Sequence, residues 1–284
     1  MNIATVRLIS RVLFMPTDIT VLLPEEPVRP GETLRTVWLL HGACGDHRTY
    51  LGEVDFDAIM RQHRCMIVMP SALNSDYGNY ERFGTGYRFL DYFFDELMPF
   101  IRATFPSSCA REDNFIEGAS MGGFGAMCLG LYRPEQFAAI GMLGASLRES
   151  AFLQPYEQEN SEVFRADALA NPKAFPTEYG MKDMGIKRKE VNVITKYPTI
   201  REFLDSPECM WRRFPEVVAS GKLPRIYAAC GSDDLFYEAN LRFRDLAREL
   251  GVEDRVHFHL PEGVGHTNDF FSREIGAFLD YYCV

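Results

Sequence analysis

The sequence predicts an α/β domain built on a mostly parallel central sheet with helices on both faces. Short apolar runs typical of buried strands recur along the chain, and they alternate with segments whose apolar residues fall at helical spacing. Strands and helices that alternate in this way indicate βαβ units, whose helices cover both faces of a parallel sheet. The predicted strands are residues 37–40, 66–69, 114–117, 139–143, 226–229 and 256–260.

The remaining elements are predicted from local patterns. Two apolar runs, 6–14 and 19–23, flank Met15-Pro16-Thr17-Asp18 and predict an antiparallel hairpin that turns at those four residues. Apolar residues at three- and four-residue spacing predict a helix over 87–104. Further helices are predicted over 121–132, 237–250 and 272–282.

Length and composition favour one domain. The chain has 284 residues, of which 46% are hydrophobic and 25% charged, so a single domain over 1–284 can bury one large core. Residues 146–223 are rich in Pro, Met and charge and contain no convincing strand, although they lie between two core strands. We predict that they form a cap inserted over the ends of the strands, because long excursions of this kind are usually lids or binding loops.

The charge and the termini exclude several functional classes. A net charge of -10 disfavours nucleic acid and anionic lipid as partners. The N-terminus has no secretory pattern and no stretch is long and apolar enough for a membrane span, so we expect a cytoplasmic protein with no membrane partner. The seven scattered cysteines are expected to be reduced, and no metal site or cofactor is predicted. The aromatic residues leave room for a homo-oligomer.

Gly118-Ala119-Ser120-Met121-Gly122 has the pattern of a nucleophile elbow. The serine of such an elbow lies on a strained turn from a strand into a helix, and the glycines remove side chains that would clash there. Here the pattern follows a predicted strand and opens a predicted helix, which is the context that the chemistry requires. Ser120 is therefore the candidate nucleophile of an acyl-transfer reaction.

A serine nucleophile needs a histidine base and a carboxylate that orients this base. His266 lies in a glycine-rich loop directly after the last predicted strand, where the chain order Ser, acid, His places the base. Two adjacent carboxylates, Asp233 and Asp234, follow the preceding strand, and the Gly-x-x-Asp spacing from Gly231 favours Asp234. The other histidines are expected to have structural or surface roles.

The oxyanion of a tetrahedral intermediate is usually stabilised by two backbone N–H groups. The N–H of Met121, which follows the nucleophile, is the first candidate. The second should lie in the glycine-containing loop after the first core strand, His41-Gly42-Ala43-Cys44-Gly45. We assign it to Ala43, with the neighbouring Cys44 as the alternative.

These motifs resemble those of the esterase D superfamily, and most closely its tributyrin esterase branch, which is related to the S-formylglutathione hydrolases. The resemblance covers nearly the whole chain and is carried by residues 39–46, 75–78, 95–99, 118–125 and 230–240. It implies an α/β-hydrolase fold and a cofactor-free serine carboxylesterase for short acyl esters, with a small-molecule ester as partner. It also implies that Ser120, Asp234 and His266 form the catalytic triad.

The substrate pocket is less specified. We predict that it is lined by tyrosines of the core loops and by aromatic residues of the cap, because pockets of open α/β sheets form beyond the carboxyl ends of the strands. The predicted substrate-binding residues are Tyr50, Tyr77, Tyr80, Trp211 and Phe214. Thioester hydrolysis, acyl transfer to an alcohol and a catalytically silent binding protein of the same fold remain as alternatives.

Overall fold

The computed structural model describes residues 1–79, 88–147 and 205–283, within which eight strands form one sheet. Their spatial order is 1-2-4-3-5-6-7-8; strands 3 to 8 run parallel to one another, and strand 2 is antiparallel to both of its neighbours. The mostly parallel sheet is therefore confirmed. The strands are β1 (Asn2–Ser10), β2 (Met15–Leu23), β3 (Thr36–Leu40), β4 (Met66–Pro70), β5 (Asn114–Ala119), β6 (Ala139–Leu143), β7 (Arg225–Ala229) and β8 (Val256–His259).

Helices cover both faces of this sheet, as predicted. Helix α2 runs over 89–104 as two α-helical stretches, Phe89–Asp91 and Met98–Thr104, joined by a π-helical stretch, Tyr92–Leu97. The other helices are α1 (Phe56–His63), α3 (Met121–Tyr132), α4 (Met210–Ala219), α5 (Tyr237–Glu249) and α6 (Asn268–Tyr282). Among the described residues no helix is both long and apolar enough to cross a membrane.

The central strands are buried on both sides, because successive side chains of a strand point to opposite faces. In β3, Trp38 and Leu40 join a core with α2, α3, α4 and α5. Val37 and Leu39 join a second core with α1 and α6. Both layers thus meet at the central strands, whose carboxyl ends carry the candidate site.

The structure corrects the predicted hairpin turn. Residues 15–18 belong to β2 and pair with β1, and the chain turns at 11–14 instead. Pro16 and Asp18 suggested a turn, but Asp18 bonds Arg7 on the neighbouring strand at 2.8 and 2.9 Å. The real turn is fixed from outside the hairpin, since the Glu96 carboxylate of α2 accepts the Arg11 N–H at 2.9 Å.

The helices also differ from the prediction. Helix α6 begins at Asn268 rather than at 272, because the Thr267 side chain caps it by accepting the Phe270 N–H. Helix α1 was not predicted at all. Of the predicted cap, residues 148–204 lie outside the described residues, and the described remainder contains α4. The cap and the single domain therefore stay predictions.

Candidate active site

Ser120 lies between the end of β5 and the start of α3, in the predicted elbow. Its backbone has φ 56° and ψ -117°, a left-handed conformation that favours glycine and costs a serine about 1–3 kcal/mol. The neighbouring chain leaves no space for side chains: a Cβ added at Gly122 would lie 2.1 Å from the Leu40 carbonyl oxygen, and one at Gly118 would lie 2.5 Å from it. The glycines of the motif are therefore required by close packing against β3.

His266 and Asp234 form a hydrogen-bonded pair. The His266 Nδ1 lies 2.7 Å from Asp234 Oδ2, and the other carboxylate oxygen accepts the Phe236 N–H at 2.8 Å. The Asp234 side chain is fully buried, whereas that of His266 is 23% exposed. A carboxylate at this position holds the Nδ1 proton, so that Nε2 is free to accept another. The rings of Phe236 and Phe271 lie beside the imidazole and roughly perpendicular to it.

The loops that carry this pair are joined to each other along their length. The Ser232 N–H donates to the Pro261 carbonyl at 2.9 Å, and the Asp233 N–H donates to that of Val264 at 2.9 Å. Gly231 approaches Val264 so closely that an added Cβ would lie 2.1 Å from its carbonyl oxygen. The acid and the base are thus held as one unit beyond the ends of β7 and β8.

Backbone hydrogen bonds connect this unit to the serine. The Ser120 N–H donates to Leu143 O at the end of β6, and the Gly144 N–H donates to Ala229 O at the end of β7, both at 2.7 Å. A Cβ added at Gly144 would lie 2.9 Å from Asp234 Oδ2. Among the described residues, however, the Ser120 hydroxyl has no hydrogen bond to His266. Such bonds are often long in the free enzyme and shorten when substrate binds.

The loop after β3 is held by buried polar side chains. The Tyr50 hydroxyl donates to Leu40 O and the Tyr77 hydroxyl donates to His41 O, both at 3.0 Å. His41 Nε2 accepts the Ala72 N–H at 2.9 Å, so the ring proton lies on Nδ1, which donates to Gly42 O at 2.7 Å. His41 is therefore neutral and braces the loop, as the structural role predicted for it requires.

Burial lowers the pKa of His41, with smaller opposing contributions from Gly42 and Asp46. Its contribution to stability is complete above about pH 6.5, where neither the folded nor the unfolded state is protonated, and is lost as the pH falls from there toward the folded-state pKa. We expect the free energy of unfolding to drop more between pH 7.5 and 5.5 in the native protein than in His41→Gln, which does not titrate. Urea unfolding at the two pH values measures this; equal losses would contradict it.

One further contact distinguishes the two candidates for the second oxyanion donor. Cys44 has φ 65°, and its N–H donates to Asn74 Oδ1 at 2.7 Å. The N–H of Ala43, by contrast, has no acceptor among the described residues. Gly42 lies against the nucleophile, since a Cβ added there would be 3.6 Å from Ser120 Cβ. Ala43 therefore remains the candidate. No sequence pattern pointed to Asn74.

The predicted substrate-binding residues have different surroundings. Tyr50 and Tyr77 are 4% and 2% exposed, and their hydroxyls are occupied by the loop after β3. Phe214 is fully buried and packs edge-on against Phe243 of α5. Trp211 is partly exposed, and its indole N–H donates to Leu147 O at 2.7 Å. Tyr80 lies outside the described residues. Contact of these five with substrate stays a prediction.

A second group that was not predicted is Glu117, three residues before the nucleophile. It is fully buried, and its carboxyl oxygens have no hydrogen-bond partner among the described residues. Burial raises its pKa well above the ordinary value, and the nearby Cys283 adds to this effect. Burial therefore favours the neutral carboxyl. A glutamate among the apolar residues of β5 was the available signal.

Comparison with known proteins agrees with this architecture. The chain is 27% identical to an acetyl esterase of Caldicellulosiruptor saccharolyticus, over 99% of this chain and 98% of that protein. The S-formylglutathione hydrolase FrmB of Staphylococcus aureus superposes with a TM-score of 0.72 at 22% identity, over 100% of both chains. The fluorophosphonate-binding serine hydrolase F of the same organism superposes with a TM-score of 0.73 at 23% identity, over 100% of this chain and 98% of that one.

The sheet, the helices on both faces and the strained serine after β5 define an α/β-hydrolase fold, and these neighbours share it. Residues 10–273 match the model of the "Putative esterase" family. The chain belongs to this family and is a carboxylic ester hydrolase. The predicted esterase resemblance is thus confirmed, while the tributyrin esterase branch stays a prediction.

Proposed function

We propose that this enzyme hydrolyses short-chain acyl esters through an acyl-enzyme intermediate on Ser120, with His266 as base and Asp234 as the carboxylate that orients it. The observation that carries the proposal is the 2.7 Å bond between His266 Nδ1 and Asp234 Oδ2, made by a buried carboxylate. It leaves Nε2 as the acceptor, in a loop that backbone bonds connect to the elbow of Ser120.

The reaction follows from these positions. Ser120 Oγ attacks the ester carbonyl carbon while His266 Nε2 takes the hydroxyl proton, and the carbonyl oxygen becomes an oxyanion. As the C–O bond to the alcohol breaks, the imidazolium returns the proton to the leaving alkoxide. Water then attacks the acyl-enzyme in the same way: its proton passes to Nε2 and on to Ser120, and the carboxylic acid leaves.

The oxyanion is proposed to accept hydrogen bonds from the N–H groups of Ala43 and Met121. Met121 is the first residue of α3, so its N–H belongs to the first turn, where helix N–H groups lack partners within the helix and favour negative charge. Each such donor contributes roughly 3 kcal/mol to the stabilisation of the transition state.

The acyl preference is inferred from a relative and from the surroundings of the base. The acetyl esterase aligns with this chain over nearly its full length, which favours short acyl groups. Phe236 and Phe271 beside the base and the exposed Leu235 after Asp234 provide apolar surface around the reacting atoms. The likeness to an S-formylglutathione hydrolase favours including thioesters among the substrates tested.

A fluorophosphonate probe tests the proposal directly. We expect it to form one covalent adduct that peptide mapping by mass spectrometry locates on Ser120, and we expect His266→Gln to react far more slowly. The labelled enzyme should lose hydrolysis of p-nitrophenyl acetate in proportion to its labelling. An adduct on another residue, or activity that survives complete labelling, would refute the assignment.

Asn74→Ala should lower kcat for p-nitrophenyl acetate by about 10- to 100-fold with little change in KM. The substitution removes the acceptor of the Cys44 N–H, so the loop no longer holds the Ala43 donor in place for an oxyanion that exists only in the transition state. Steady-state kinetics measures the effect. The control is Asn2→Ala on β1, which removes a 3.1 Å hydrogen bond from the Asn2 side chain to Pro24 O. Unchanged kcat in Asn74→Ala would mean that Asn74 does not position the loop.

Trp211→Ala should change the ratio of kcat/KM between acetyl and longer acyl esters by about 10-fold or more. The expectation follows from the predicted contact between the partly exposed indole and the acyl group, because each methylene in an apolar pocket is worth roughly 1–3 kcal/mol. The buried Phe214 lies on the same helix, and Phe214→Ala is the comparison: it should lower stability, and an equal change in the ratio would mean that Phe214 also contacts the acyl group. A series of p-nitrophenyl esters gives the ratios. If neither variant alters them, α4 does not set specificity.

A further inference from the structure

The outer edge of β1 is unusually unprotected. Among the described strands β1 pairs only with β2, and its register runs without a bulge over nine residues. Natural sheets protect such edges with proline, lysine, bulges or short strands, because unpaired N–H and C=O groups invite another strand. Residues 2–10 contain neither proline nor lysine. The strand at the other edge, β8, has only four residues.

The hairpin also exposes large apolar side chains. Of the six large apolar side chains that are exposed among the described residues, three lie here: Ile3 at 53%, Ile9 at 69% and Phe14 at 90%. The only charge on the strand belongs to Arg7, whose guanidinium is bonded to Asp18 of its own chain. Although the Arg7 side chain is 69% exposed, this ion pair offsets its charge and weakens charge repulsion at the edge.

Ile3 and Ile9 are spaced symmetrically about Val6, three residues to either side of it. In an antiparallel pair, residues directly opposite each other lie on the same face of the sheet. When β1 pairs with itself over its whole length, the centre is Val6, and Ile3 of one chain faces Ile9 of the other. Thr5 faces Arg7, so the two arginines stand diagonally and not directly opposite, each bonded to Asp18 of its own chain. On the inner face Ala4 meets Leu8.

We propose that two copies of this chain associate through their β1 strands, antiparallel and centred on Val6, so that one continuous sheet runs through the dimer. Backbone hydrogen bonds across the edge and two Ile3–Ile9 pairs hold the interface. A cyclic dimer of this type uses the same surface of both chains, and the symmetric spacing of the two isoleucines about Val6 favours a second copy over an unrelated strand.

Sedimentation velocity over about 1–100 µM should show a monomer–dimer equilibrium for the native chain. The double variant Ile3→Lys/Ile9→Lys places lysine opposite lysine twice, and we expect the dissociation constant to rise by at least ~30-fold. The double variant Ile3→Lys/Ile9→Glu places opposite charges face to face and should restore the dimer. Positions 3 and 9 are about 20 Å apart within one strand, so only pairing between chains explains such a rescue.

Phe14→Lys is the matched control: Phe14 is exposed on the same hairpin, but no residue of the partner stands opposite it in this register, so the dimer should persist. Circular dichroism and melting temperature show that each variant is folded. A second measurement avoids the lysine variants. In the proposed dimer residue 6 of one chain faces residue 6 of the other, so diamide should link two Val6→Cys chains by a disulfide. Peptide mapping would identify residue 6 as the site of the link. Ile3→Cys should not link to itself.

Three results would overturn the proposal: a monomer at every concentration, a dimer that survives Ile3→Lys/Ile9→Lys, or a failure of the charge-reversed variant to restore association. If the native chain is monomeric and an unrelated strand peptide binds to β1 instead, the edge is a docking site for another protein and the proposed dimer is wrong.

Discussion

Ser120→Ala is expected to lower kcat/KM for p-nitrophenyl acetate by at least ~10³-fold and to leave the fold intact. The substitution removes the proposed nucleophile of a coupled triad, whose members depend on one another for nearly all of their catalysis. The fold should survive, because among the described residues the hydroxyl makes no hydrogen bond that joins two elements. The backbone bonds of residue 120 to Leu143 and Phe124 do not involve its side chain.

Initial rates and thermal unfolding, measured on the same preparations, test this expectation. Ser220→Ala is a suitable control, since its hydroxyl donates to Val217 O and accepts the Lys222 N–H at the end of α4, and should be irrelevant to the chemistry. Cooperative unfolding together with substantial residual turnover in Ser120→Ala would remove Ser120 from the reaction.

Asp234→Asn is expected to reduce kcat by about 10³- to 10⁴-fold, whereas Asp233→Asn should change it by less than ~10-fold. The buried Asp234 accepts the Nδ1 proton of His266, so an amide at this position favours the wrong tautomer and no longer stabilises the imidazolium. Asp233 is exposed, and among the described residues its side chain accepts only the Ser232 hydroxyl, at 2.9 Å.

The pair is a matched comparison, because both variants remove one carboxylate from adjacent positions of one loop. The rates are measured at saturating p-nitrophenyl acetate, and the fluorophosphonate labelling rate reports the reactivity of the serine separately. If Asp233→Asn is the more damaging substitution, the carboxylate that orients the base is Asp233. If both are mild, the buried pair of His266 and Asp234 has another role.

Sequence patterns located the proposed catalytic residues because these depend on local features. The glycines around Ser120 are needed because β3 lies so close to the elbow. The positions of Asp234 and His266 follow from the strands that precede them. The hydrogen bond between Cys44 and Asn74 depends on two loops 30 residues apart, and no pattern in either loop predicts it. Long-range contacts of this kind were not accessible from the sequence.

The wrong boundaries have a similar cause. Pro16 and Asp18 have turn propensity, but pairing with β1 places them in a strand, and Glu96 of a distant helix fixes the turn elsewhere. Likewise the packing of Phe214 against Phe243, which lies on another helix, could not be predicted from the sequence of either segment.

The left-handed backbone of Ser120 also bears on how such an enzyme evolves. A glycine at this position would adopt φ 56° without the cost of about 1–3 kcal/mol that the serine carries. The residue proposed for the chemistry is then one that selection for stability alone would discard. In a lineage that no longer needs ester hydrolysis, selection for stability would favour replacing the serine. Its persistence would therefore indicate that the activity is still under selection.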